Sequence, residues 1–122
     1  MILNKYHTKY QNKYYNQKIE VHGNTFDSLK EYRRYCDLSM LQKAGIITDL
    51  QRQVEIELIP AQYAEVNGKR KCVERKCSYI ADFVYYENGK KVVEDTKGVK
   101  TKEYIIKRKL CLFLKGIRIK EV

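Results

Sequence analysis

Apolar and polar positions alternate most regularly over residues 52–59. Val54, Ile56 and Leu58 fall on one side, and Gln53, Glu55 and Glu57 on the other. That pattern predicts a half-buried strand, stopped by Pro60. Upstream the period is helical. Leu29, Tyr32, Cys36 and Met40, widened by Leu38 and Leu41, predict a buried stripe on a helix over 27–44. Asp27 or Ser28 is placed to cap it, Glu31 sits in the first turn where the helix dipole favours an anion, and Gly45 ends it. Residues 78–86 and 91–97 are β-rich and flank Glu87-Asn88-Gly89-Lys90, whose Asn-Gly pair predicts a hairpin with a type I′ turn. A second helix is expected over 101–115, opened by Thr101. It would bury Ile106, Leu110 and Phe113, with Lys100, Lys107 and Arg108 toward a basic side. Ile117-Arg118-Ile119 predicts a last short strand. The expected order is α-β-β-β-α-β, an α/β fold.

Two stretches lie outside this pattern. Residues 1–20 show no apolar periodicity and mix Tyr6, Tyr10, Tyr14 and Tyr15 with Lys5, Lys9, Lys13 and Lys18, which predicts a flexible basic arm. Such an arm suits stacking on bases with lysines on phosphates; it equally suits a solvated tail with no role. Between Pro60 and residue 78 a loop is expected, with Asn67-Gly68 and the cations Lys69, Arg70, Lys71, Arg75 and Lys76. These cations suit phosphate binding, and they also suit a plain solvated loop.

The length of 122 residues fits a single domain, placed here at 21–122 behind the arm. Twenty-five Lys and Arg against 15 Asp and Glu give net +10, which favours a polyanionic partner, most simply nucleic acid. No apolar run is long enough to span a membrane, and the polar start carries no export signal, so a cytoplasmic location is expected. His7 and His22 are the only histidines, which leaves little for histidine triads or histidine-rich metal sites. The spacing of Cys72 and Cys77 matches half of a zinc site, but Cys36 and Cys111 lie in helical patterns far away; small core or loop residues describe all four.

The hairpin register can be calculated. With Asn88 and Gly89 as the loop, Glu87 pairs with Lys90, and Asp82 comes opposite Asp95. Lys97 lies on the same face, as do Val84 and Val93. Opposed carboxylates repel, and a divalent cation relieves that repulsion. Two carboxylates, a neighbouring backbone carbonyl at Thr96, and waters suit magnesium or manganese. Lys97 would then orient the attacking water or neutralise charge on a phosphate. The alternatives are a salt-bridged Asp–Lys–Asp cluster, or a bulge that shifts the pairing and brings Glu94 in.

Asp82 followed by Asp95-Thr96-Lys97 resembles the PD-(D/E)XK nuclease signature, with Ala81 where that signature usually has proline. Tyr79-Ile80-Ala81-Asp82-Phe83, Asn88-Gly89 and Asp95-Thr96-Lys97-Gly98 are similar to the junction-resolving endonuclease I family of certain phages. A closer resemblance is to a family of small phage and prophage proteins. It is carried by Phe26-Asp27-Ser28, Glu31, the stretch from Leu50 to Pro60 with Gln53, and Val93-Glu94-Asp95-Thr96-Lys97-Gly98. The resemblance implies a restriction-endonuclease-like core, a central mixed sheet flanked by helices. It implies Asp82, Asp95 and Glu31 as metal ligands, Lys97 as the catalytic lysine, and Gln53 as a polar site position. Read from the residues alone, Glu31 is a favourable first-turn charge.

The expected function is therefore a Mg2+- or Mn2+-dependent DNA endonuclease without a small-molecule cofactor. Lys69, Arg70, Lys71, Arg75, Lys76, Lys100, Lys107 and Arg108 would hold the DNA backbone. By resemblance the target is branched DNA, cut by a homodimer in a phage-encoded recombination or processing step. The alternative is a non-catalytic nucleic-acid-binding protein on the same fold. A structural phage protein would leave the basic excess unexplained.

Overall fold

The computed structural model describes the backbone of residues 7–11 and 17–122 and the side chains of 18–122. The chain is mixed α/β and divides into two compact units, residues 1–50 with 85–90, and residues 51–84 with 91–122.

In the first unit, β1 (His7–Gln11), β2 (Gln17–Val21) and β3 (Asn24–Phe26) form an antiparallel sheet. His22 and Gly23, both at positive φ, make the two-residue turn that sets Val21 opposite Asn24. Helix α1 (Leu29–Lys43) packs on β2 and β3. Ser28 caps it by accepting from the Glu31 amide at 3.1 Å, while the Glu31 carboxylate turns back to accept from the Asp27 amide at 3.3 Å. This is a variant of the capping box that serves two orphan donors at once. At the other end the amides of Gly45 and Ile46 bond to the carbonyls of Gln42 and Leu41, a Schellman motif with Gly45 left-handed at φ 78°. Phe26 is buried edge-on to Tyr32, with ring centroids 5.2 Å apart.

The second unit holds most of a four-stranded sheet. It runs in the order β4 (Ile47–Ile59), β7 (Cys77–Glu87), β8 (Lys90–Asp95) and β9 (Lys120–Glu121), with β9 parallel to β8. Helix α2 (Lys102–Lys115) connects β8 to β9, capped by Thr101 and ended by Gly116 in the left-handed region. Ile56, Leu58, Tyr79, Ala81, Val84, Val93, Tyr104, Cys111 and Ile119 make the core of this unit. Among the described residues, strands β5 (Gln62–Val66) and β6 (Lys69–Glu74) pair only with each other. No helix among the described residues is long and apolar enough to cross a membrane.

Several expectations need correction. The arm over 1–20 contains strand β1 and most of β2; the remainder, with Tyr6, Tyr14 and Tyr15, lies outside the described residues. The loop after Pro60 is a hairpin, because Asn67 (φ 52°) and Gly68 (φ 77°) form the same kind of turn as Asn88-Gly89. The buried side of α1 follows Glu31 and Leu38, and Met40 and Leu29 are exposed. On α2 the buried residues are Tyr104 and Cys111, with Ile106 and Phe113 in solvent. Apolar side chains all round that helix left its inner face unspecified. The last strand lies at 120–121, beyond Ile119.

Candidate active site

The turn at Asn88-Gly89 has φ of 52° and 74°, as a type I′ hairpin requires, and counting from it along the neighbouring strands β7 and β8 sets Asp82 opposite Asp95. Both carboxylates are buried, Asp82 to 9% and Asp95 to 1% exposure. Asp82 is held on two sides. Its Oδ2 accepts from the Thr96 amide at 2.9 Å and the Thr96 hydroxyl at 2.8 Å. Its Oδ1 accepts from Gln53 Nε2 at 3.3 Å. Gln53 reaches it from a distorted point in β4, where its own φ is 51°. A non-glycine residue in the left-handed region inside a strand costs about 1–3 kcal/mol, and such strain is often kept at functional positions.

Asp95 meets Lys97, whose Nζ lies 2.7 Å from Oδ2. The same Oδ2 has no well-angled hydrogen-bond partner among the described residues. The Lys97 ammonium also sits over the Tyr104 ring, 4.2 Å from its centroid, so a charge and a π face fix it together. Val122, just after β9, closes the backbone: it donates to the Asp95 carbonyl at 3.0 Å, and Lys97 donates to the Val122 carbonyl at 3.2 Å. Burial holds the Tyr79 phenol protonated far above its ordinary range, and the Asp95 charge adds to that. Tyr104 is raised by burial and by its bond to Glu121.

Glu121 is the hub of a network that the sequence pattern did not indicate. Its Oε2 accepts from the Tyr104 hydroxyl at 2.6 Å and from Arg108 at 3.2 Å, and its Oε1 pairs with Lys100 at 3.0 Å. The Tyr104 hydrogen bond, followed by Lys100, lowers its pKa from 4.5 to about 2. A carboxylate whose pKa is depressed on folding contributes stability that is complete above its unfolded value and lost as pH falls through the folded one. Acid titration of the parent chain should therefore lose stability between about pH 4.5 and 2, and Glu121→Gln should remove part of that dependence. Denaturant melts at pH 5 and pH 3 check this; equal pH dependence in the two proteins would be the contrary result.

The remaining expected site residues are distributed as follows. Glu31 belongs to the first unit, buried in the first turn of α1 and bonded to the Asp27 amide. Lys100 and Arg108 are engaged by Glu121, Lys107 by Glu103 at 3.0 Å, and Lys76 by Glu55 at 2.8 Å. Lys69, Arg70, Lys71 and Arg75 are exposed on and beside the β5–β6 hairpin. Cys72 Sγ turns to the Glu74 carbonyl while Cys77 packs against the core. Sequence reasoning missed Tyr104, Tyr79 and Glu121. The spacing of Tyr104 and Arg108, one helical turn apart, was the available signal for the first.

The donors gathered at Asp82 and Asp95 are hard oxygens, which suit magnesium or manganese rather than a soft metal. The buried Asp95 Oδ2, without a well-angled hydrogen bond, is an acceptor of the kind a cation would use. The fold and this corner define a mixed α/β protein with two strand-borne aspartates and a lysine at one end of its sheet. Residues 11–118 match the family described as "Protein of unknown function (DUF1064)", and the chain belongs to that family. No curated protein and no solved structure matches the chain.

Proposed function

We propose that this chain is a metal-dependent DNA endonuclease that hydrolyses phosphodiester bonds, with branched DNA such as a four-way junction as its preferred target. The observation that carries the reading is Asp95, buried and ion-paired to Lys97, on the hairpin that sets Asp82 opposite it. The order α1, β4, β7, β8, α2, β9 supports a restriction-endonuclease-like core, with β1–β3 and the β5–β6 hairpin as additions. The net charge of +10 supports a nucleic-acid substrate.

Asp82 and Asp95 would hold a magnesium or manganese ion, which supplies a more acidic water and a Lewis acid for the phosphate. Thr96 and Gln53 hold the Asp82 carboxylate at a fixed angle. Lys97, with a quarter of its side chain exposed, reaches the surface beside Asp95 and would neutralise the charge that builds on the phosphate as water attacks. The phosphorus–oxygen bond to the leaving sugar breaks, and the departing oxygen takes up a proton.

A non-catalytic nucleic-acid-binding protein is the second reading. It is favoured by the Asp95–Lys97 ion pair and the Asp82–Thr96 bonds, which already satisfy much of the cluster without a metal. Purified protein should be incubated with linear, flapped and four-way-junction DNA in magnesium, manganese or EDTA, with Asp82→Asn and Asp95→Asn in parallel. Metal-dependent nicking of the junction, lost in both variants, is the expected outcome. Tight binding without cutting in any metal would favour the second reading.

A further inference from the structure

The β5–β6 hairpin is exposed along its whole length, every residue from Gln62 to Lys76. Among the described residues it pairs with no third strand. A two-stranded ribbon with no buried face is marginal alone, so local features must support its form. Here they are the turn at Asn67-Gly68 and the Arg70 guanidinium, stacked 4.2 Å from the Tyr63 ring centroid.

The register separates two chemically different faces. Tyr63 is opposite Cys72 and Glu65 is opposite Arg70, so these four share one face. Ala64 is opposite Lys71 and Val66 is opposite Lys69, and these four share the other. Toward the Asn67-Gly68 turn the second face has two cations with only small apolar side chains between them, and Gln62 with Glu74 opposite it, past the register shift, closes its far end. Lys69 and Lys71 make no ion pair among the described residues. Pairing of this face with a second copy about a two-fold axis would bring lysines against lysines.

We propose that the Ala64–Val66–Lys69–Lys71 face of this ribbon is a docking surface for the major groove of duplex DNA. Five paired residues at about 3.3 Å each make a ribbon of roughly 17 Å. The major groove of B-DNA, about 12 Å wide, admits a two-stranded ribbon. The corresponding groove of duplex RNA is too narrow for side chains to read. Ala64 and Val66 allow close approach, and the two lysines reach phosphates. Arg70, held over Tyr63, faces away. The proposal rests on the nucleic-acid part of the function proposed above and is independent of cutting.

The test is fluorescence anisotropy of the full chain with labelled duplex DNA, in EDTA, from 50 to 200 mM NaCl. Lys69→Ala with Lys71→Ala should weaken binding on all sequences alike and reduce the slope of log affinity against log salt by about 2. An unchanged slope in the double variant would overturn the proposal. So would equal affinity for duplex RNA, or a change in the sedimentation of the double variant without DNA, which would mark the ribbon as a contact between copies. Parent protein that binds with this lysine dependence yet never cuts would leave the docking surface standing and defeat the endonuclease reading alone.

Discussion

Replacing Lys97 by alanine is expected to lower metal-dependent DNA cleavage by about 10²–10³-fold, with DNA binding in EDTA nearly unchanged. The ammonium lies 2.7 Å from Asp95 Oδ2, and the Tyr104 ring restricts where it can point. A preorganised charge of this kind stabilises a transition state more than a mobile one, since it needs no rearrangement during reaction. The substitution also leaves Asp95, whose side chain is 2% exposed, without its counter-ion. Removing one member of a buried pair destabilises by about 3–5 kcal/mol at most, so cleavage must be compared at a temperature where both proteins are folded. Added manganese should raise the melting temperature of the Lys97→Ala protein more than that of the parent, because the ion replaces the lost charge. Cleavage at the parent rate by folded Lys97→Ala protein would remove the lysine from the mechanism.

Tyr104→Ala should cost about 3–5 kcal/mol of unfolding free energy, the range for truncating a large buried aromatic. Tyr104→Phe should cost about 1.5–3 kcal/mol, the scale of one hydrogen bond to a charged partner. The difference arises because the side chain has two jobs. Its ring packs near Tyr79 in the core and lies under Lys97, whereas its hydroxyl holds Glu121. Phenylalanine retains the first and loses the second. Domains are stable by about 5–15 kcal/mol, so the alanine change takes a large share. Urea denaturation of the three proteins measures the order; equal losses in the two variants would show that the ring contributes nothing beyond its hydroxyl.

The parts of this molecule legible in the sequence are those fixed by near neighbours. Asn88-Gly89 needs only two residues that accept positive φ, and from that turn the opposition of Asp82 and Asp95 follows by counting. The alternation of Val54, Ile56 and Leu58 was legible because one face of β4 is buried and the other is not. Asn67-Gly68 carries the same turn signal, yet its flanking strands are exposed on both faces and leave no alternation to read. Burial on α2 was misread because Ile105, Ile106, Leu110, Leu112, Phe113 and Leu114 surround the helix with apolar groups. Only packing selects Tyr104 and Cys111 as the inner line. Glu121 had no local signal at all: its partners Lys100, Tyr104 and Arg108 lie 13 to 21 residues earlier in the chain, and charge alone cannot name them.

The two hydrogen bonds by which Val122 brackets Thr96 join points separated by the whole of α2. Contacts of such long sequence separation form late, since the intervening chain must first be ordered. During synthesis both aspartates therefore leave the ribosome before Val122, the residue that bonds the backbone on either side of Thr96. Fraying of the two-residue strand β9 would loosen Asp95 and Lys97 together, so the integrity of this corner reports on the stability of the C-terminal strand.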